Sequence, residues 1–373
     1  MAMRTIQEKL LDFLGQEATR FTIPYYQREY AWNARQCDEL WNDIMAAGSR
    51  GTSHFLSMLL YLSAEGHTAS GLRELDIIDG QQRIATATIL LSAFEGYLRE
   101  RGETVEEATL RERREAADVN GPAPDESQAT PRWPAPDVIR KRYLTCNEAG
   151  ECKIRLMGAD LTTLQAILDG DEMPARVSRR VAANHALFRA KMDEEGFDPA
   201  VFWAGVNGLL VIATELDKRD KAQVVFEGLN TKGIPLTTSD LIRNYLLVAE
   251  TRETQEYLYR EYWSPMEIMF DPDPGHIRLN TGFRMWLAIR NRGMRIKDKS
   301  MTYTYFKQYV EEKFDGTTEE LLDELRSFCL LWAENYKCNE GRAHCSSMDW
   351  AKGKRKTLLP EQWLKGHSGC GPG

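Results

Sequence analysis

The sequence predicts an α+β fold: a small sheet with helices in the first part of the chain, then a mostly α-helical region. Three observations lead there. Two apolar runs, His54–Leu62 and Glu74–Ile78, read as buried strands flanking turn material. A third run, Gly208–Leu216, reads as a central strand. From Arg252 to about Lys337 the apolar residues keep helical spacing, broken only at Ser264-Pro265 and at Asp271–Gly275.

With 373 residues the chain exceeds one ordinary core. Shifts in composition divide it into five parts: 1–102, an α+β part; 103–137, a charged and then proline-rich loop; 138–250, further strands and helices; 251–337, a helical extension; and 338–373, a weakly patterned tail. The chain is 42% hydrophobic and 28% charged, the composition of a globular protein. Its net charge of −8 excludes coating nucleic acid through bulk charge and leaves room for a local basic face. Seven scattered cysteines suggest no disulfide framework, and no stretch approaches the ~20 apolar residues of a membrane span. A cytoplasmic location is the expectation.

In chain order, Thr5–Leu14 reads as an amphipathic helix with Ile6, Leu10, Leu11 and Leu14 on one stripe. Phe21–Ile23 reads as a short strand ended by Pro24. Asn33 caps a helix carrying Cys37, Leu40, Trp41 and Ile44 on one face. After the strand Glu74–Ile78, apolar residues fall three or four apart (Ile84, Thr88, Leu91, Phe94, Leu98), a helix ending near Arg101-Gly102. Cys152–Met157 is a candidate strand, and Leu161–Leu168 and Val181–Met192 are candidate helices. Ala222–Leu229 reads as helical, followed by a turn and the helix Leu241–Glu250 with Thr238 or Ser239 as cap.

The chemistry concentrates at Asp79-Gly80-Gln81-Gln82-Arg83. A strand passes through a glycine into the first turn of a helix, so free N–H groups and the positive dipole end face whatever lies over the loop. Arg83 adds a planar, forked cation suited to phosphate. The plain alternative is a structural turn, since Asp-Gly is a favoured turn pair. Gln27-Arg28 sits among Tyr25, Tyr26, Tyr30 and Trp32, either beside that turn or as an arginine stacked on an aromatic surface. Asn230-Thr231-Lys232-Gly233 is either a helix end or, with Glu227 and Asp240, part of a site whose carboxylates serve magnesium or an arginine. No Walker-type phosphate loop is present.

Three stretches together, FTIPYYQREYAW, the pair HFLSMLLYL and IIDGQQRIATATILL, and VVFEGLNTKGIPLTTSDLIRNYLL, resemble in order and spacing the N-terminal domain of GmrSD-type modification-dependent restriction enzymes. Gly80 to Arg83 at a strand–helix junction also resembles the phosphate-binding turn of the ParB and sulfiredoxin-like fold, which the resemblance implies for the sheet part. It further implies an NTP-binding and hydrolysing regulatory domain of a restriction system active against phage. Nucleotide-binding roles map onto Gln27, Arg28, Asp79, Gly80, Gln81, Gln82, Arg83, Asn230, Thr231 and Asp240. In that reading Arg83 and the helix start hold phosphates, Arg28 neutralises developing charge, and Gln82 or Glu227 orients water, making Arg83, Gln82, Arg28 and Glu227 the expected catalytic set. Mg2+ is the implied cofactor, with Asp79 its candidate ligand. Modified DNA, a separate nuclease subunit and self-assembly are the implied partners. The alternative is a non-catalytic ParB-like reader of modified DNA, or a docking subunit for a nuclease. The sequence departs from the family where HFLSMLLYL lacks a Gly-Ser pair after Phe-Leu, and it shows no His–Asn–His nuclease cluster. DNA cleavage is therefore not expected of this chain alone.

Overall fold

Both early apolar runs are strands: β3 spans His54–Ser63 and β4 Arg73–Asp79, paired antiparallel. β1 (Arg4–Lys9), β2 (Thr19–Thr22), β5 (Ile154–Arg155) and β6 (Leu209–Glu215) complete a mixed six-stranded sheet in the order β1-β6-β3-β4-β2-β5. The computed structural model describes residues 4–63, 71–101, 133–216, 236–271, 274–291, 296 and 298–340. The chain divides into two compact units, Met1–Pro235 and Leu236–Gly373, and the sheet lies wholly in the first. Its strands β5 and β6 come from well beyond residue 102.

Three neighbouring strands, β4, β2 and β5, run parallel, with Phe21 opposite both Leu75 and Ile154. Their carboxyl ends therefore open on one edge of the sheet. β6 lies inside the sheet, parallel to β3 and antiparallel to β1, as the apolar run Gly208–Leu216 suggested. The predicted helix over Thr5–Leu14 is half wrong. Its first part is β1, paired from Arg4 opposite Glu215 to Lys9 opposite Leu210, and only Leu10–Leu14 (α1) is helical. Pairing with a distant strand outweighs a short local stripe.

α2 (Ala34–Arg50) begins with the expected Asn33 cap: Arg35 N–H donates to Asn33 Oδ1 at 2.9 Å and Asn33 N–H to Gln36 Oε1 at 3.0 Å. It buries Cys37, Leu40, Trp41 and Ile44. α3 (Gln81–Glu100) is more deeply buried than its sequence stripe implied. Every residue from Gln81 to Leu98 is buried except Arg83 and Gly96, so this helix forms the centre of the core. Around it lie α4 (Pro136–Ile139), which runs into a π turn over Arg140–Leu144, then α5 (Gly158–Asp169), α6 (Arg179–Met192) and α7 (Pro199–Asn207). α2 and α7 touch backbone to backbone. A Cβ on Gly48 would lie 1.9 Å from Val201 O, and one on Gly205 2.0 Å from Ile44 O. The strand expected over Cys152–Met157 shrinks to β5 plus a single bridge between Thr145 and Cys152.

The second unit is helical: α8 (Thr238–Leu247), α9 (Arg252–Leu258), α10 (Ser264–Met269), α11 (Ile277–Arg290), α12 (Thr302–Lys313) and α13 (Thr318–Glu340). The predicted break at Ser264-Pro265 is absent. A π turn over Tyr259–Trp263, closed by Ser264 N–H on Tyr259 O, carries the helix across the proline, which has no N–H to donate. The cap of α8 is Thr237, one residue before the expected pair. Arg243, 1% exposed, bridges Asp240 at 3.2 Å and Glu267 at 2.8 Å. Among the described residues no helix is long and apolar enough to cross a membrane. The charged run after Glu103, most of the proline-rich loop, the predicted helix Ala222–Leu229 and the tail after Glu340 lie outside the described residues.

Candidate functional site

At the carboxyl edge of β4, β2 and β5, the connections that leave these strands border a small cleft of about 10 Å³, room for about one water molecule. Ile23, Arg28, Glu29 and Tyr30 come from the segment after β2, Gln81, Gln82 and Ala85 from α3, and Leu156, Met157 and Asp160 from the entry to α5. Ligand sites of sheets with parallel strands gather at this edge, because the loops there are free to vary while the strands fix their roots.

β4 enters α3 through Gly80 alone, which has φ 92° and ψ 3°. That left-handed conformation suits glycine. The space does too, since a Cβ would lie 2.3 Å from Leu59 Cδ2 and 3.3 Å from Met58 O. On β3, opposite this junction, the register slips between Leu60 and Tyr61, with Leu60 paired to Asp79. Such irregularities re-aim a strand end and recur beside functional sites. Asp79 Oδ1 accepts the Gly80 N–H at 2.8 Å. Burial raises the Asp79 carboxyl above its ordinary value, while the Gly80 N–H, Arg83 and Arg28 pull it the other way. Two arginine charges thus bear on one carboxylate. Asp79 and Arg83 stand beside the cleft rather than in its lining, whereas Arg28 belongs to both settings.

The two glutamines of the turn are turned toward the segment after β2. Gln82 Oε1 accepts the Ala31 N–H at 2.7 Å, and its Nε2 donates to Glu29 O at 3.2 Å. Gln81 Nε2 donates to Gln27 Oε1 at 3.1 Å, and Gln27, fully buried, donates to Ile78 O at 2.9 Å. The sequence suggested that the amides were surplus donors awaiting a ligand. Here they bind the Arg28 segment to α3 and β4. The structure thus brings Gln27, Arg28, Asp79, Gly80, Gln81, Gln82 and Arg83 together.

Asp240 belongs to the second unit, where its Oδ2 accepts from Thr237 N–H at 2.9 Å and its Oδ1 from Arg243. Glu227, Asn230 and Thr231 lie outside the described residues. Among the described residues no three metal-binding side chains cluster. Asp79 fits a magnesium ion only in the manner usual for that ion, as one carboxylate sharing it with substrate phosphates and water. Sequence reasoning missed Asp160, Ser178, Arg180 and Asn184, all of which reach the segment after β2 or each other. The available signal was Gly158-Ala159-Asp160 directly after a strand, a helix start at the same edge as Gly80.

No curated protein matches the chain. A family model described as GmrSD restriction endonuclease, N-terminal domain, matches residues 10–247. The match takes in both sheet-edge segments, all of α3 and the start of the second unit, well over half the chain. The chain therefore belongs to the GmrSD restriction endonuclease family and carries its N-terminal domain.

Proposed function

We propose that the Asp79–Arg83 turn and Arg28 form a magnesium-dependent NTP-binding and hydrolysing site, the regulatory part of a modification-dependent restriction system. The observation that carries this reading is the convergence of two arginines and one carboxylate on the N-terminus of a buried helix. A helix start supplies N–H donors and positive potential, two guanidiniums supply charge for phosphate, and Asp79 supplies one oxygen for a metal. Phosphoryl transfer asks a protein chiefly for positioning and charge stabilisation, which this set provides.

The cleft, at about 10 Å³, is far below the roughly 300–1,000 Å³ of typical small-molecule sites. The nucleotide therefore lies across its mouth, with the phosphates on Arg28, Arg83 and the start of α3. In this reading Arg28 offsets charge on the transferred phosphoryl, Arg83 grips the phosphate chain, and Gln27, Gln81 and Gln82 hold the Arg28 segment. Glu227, Asn230 and Thr231, outside the described residues, keep the roles that the resemblance implies for them, orienting water and binding nucleotide. Magnesium, when bound, neutralises phosphate charge. Modified DNA and a separate nuclease remain the partners of this reading.

The test is phosphate release from Mg·NTP by the purified chain and by Arg83→Ala. The parent should turn over nucleotide and Arg83→Ala should not, at an unchanged melting temperature. Equal rates would overturn the assignment. Melting with duplex DNA in place of Mg·NTP separates the rival: stabilisation by DNA alone, with no phosphate release, would make the turn a reader of DNA phosphates.

A further inference from the structure

Residues 25–32, between β2 and α2, form no helix or strand, yet side chains from far along the chain take up their backbone groups. Gln82 holds Glu29 O and Ala31 N–H. Arg180 of α6 donates to Ala31 O at 2.6 Å, and Asn184 Nδ2 to Trp32 O at 2.9 Å. A further holder is Asp160, 5% exposed, in the first turn of α5. Its Oδ2 accepts the Tyr30 N–H at 2.7 Å and its Oδ1 the Ser178 hydroxyl at 2.5 Å. The Tyr30 hydroxyl then accepts from Asn184 Nδ2 at 3.0 Å and lies 2.7 Å from Thr86 Oγ1 on α3.

A carboxylate is costly to bury unless donors satisfy it, and a helix start favours it further. Ser178 and the α5 terminus would serve that need within the helical layer. The remaining oxygen instead grips a backbone N–H two residues from Arg28, and Asp160 itself lines the cleft. We propose that Asp160 is a positioning residue of the nucleotide site: through Tyr30 N–H it holds Arg28 against the cleft. This inference rests on the nucleotide reading above. It makes the entry to α5 part of the site, so that all three parallel strands contribute to it.

The experiment is Mg·NTP turnover by the full chain, its Asp160→Ala and Arg28→Ala variants, and the double variant. A positioning role predicts that Asp160→Ala lowers kcat at least about tenfold with KM within about threefold of the parent. In the Arg28→Ala background the same substitution should change nothing, because the group it positions is gone. Asp160→Asn, whose amide oxygen still accepts the Tyr30 N–H, should recover activity to within about threefold. If Asp160→Ala does not fold, Asp160→Glu keeps the charge, displaces the segment by one methylene and should show the same dependence on Arg28. An unchanged kcat, or an equal loss with and without Arg28, would overturn the positioning role alone. A parent that neither binds nor hydrolyses nucleotide would overturn the nucleotide reading, and this inference with it.

Discussion

Gln82→Glu separates holding from catalysis at the turn. The change keeps the shape of the side chain and its acceptor for the Ala31 N–H, and replaces the N–H2 donor facing Glu29 O at 3.2 Å by an oxygen. At 8% exposure the new carboxylate has little water to turn to. A lost buried hydrogen bond with its partner left unsatisfied costs about 1–3 kcal/mol. If that cost falls on closure of residues 25–32, the open fraction rises roughly 5- to 150-fold. Hydrogen exchange followed by mass spectrometry on peptides covering Tyr30 and Ala31 reads this directly, and phosphate release on the same sample reads the consequence. Gln82→Met, neutral and unable to hold either group, should loosen the segment at least as much. Unchanged exchange would refute the holding role. Lost turnover with unchanged exchange would mean that Gln82 acts on the nucleotide itself.

Gly80→Ala should destabilise the first unit by about 2–4 kcal/mol, combining left-handed strain with overpacking against fully buried Leu59. Gly51→Ala, at φ 61° with nothing within 4 Å of the added carbon, should cost only the strain, so equal losses in denaturant titrations would show that Leu59 yields freely. Burial raises Asp76 from 3.8 to about 6. The folded state then holds a proton that the unfolded state releases between those values, so this residue's contribution to stability falls as pH rises from about 4 to 6, by about 3 kcal/mol at most. Asp76→Asn should therefore melt above the parent at pH 8, with the gap closing toward pH 4; a gap independent of pH would contradict this. Arg243→Leu leaves Asp240 and Glu267 buried without their shared cation and should cost the second unit about 3–5 kcal/mol, measured by its melting. A melting temperature equal to the parent's would show that the bridge contributes nothing.

Local patterns carried much of the fold. The strand pair β3 and β4, the Gly80 entry into α3, the Asn33 cap and the interior position of β6 all follow from periodicity and turn chemistry. β1 was hidden because its partner β6 is remote in sequence, and no local stripe reveals a long-range pairing. The continuity of the helix across Pro265 was hidden because a π turn, not sequence spacing, relieves the missing donor. At the site, the residue types of Asp79–Arg83 and Gln27-Arg28 announced a polar cluster. What the glutamines do there was not legible, since an amide reads the same whether it faces a ligand or a backbone. Asp160, Ser178 and Asn184 were invisible for a related reason: each is ordinary in its own helix and gains meaning only where three parallel strands end together.

The most direct test of the account is a crystal structure of the chain with Mg2+ and a non-hydrolysable NTP analogue. Phosphate oxygens should be bonded to the Arg28 and Arg83 guanidiniums and to backbone N–H groups at the start of α3, with the metal touching Asp79 and the base outside the cleft. Phosphates bound elsewhere, with Arg28 and Arg83 untouched, would contradict it.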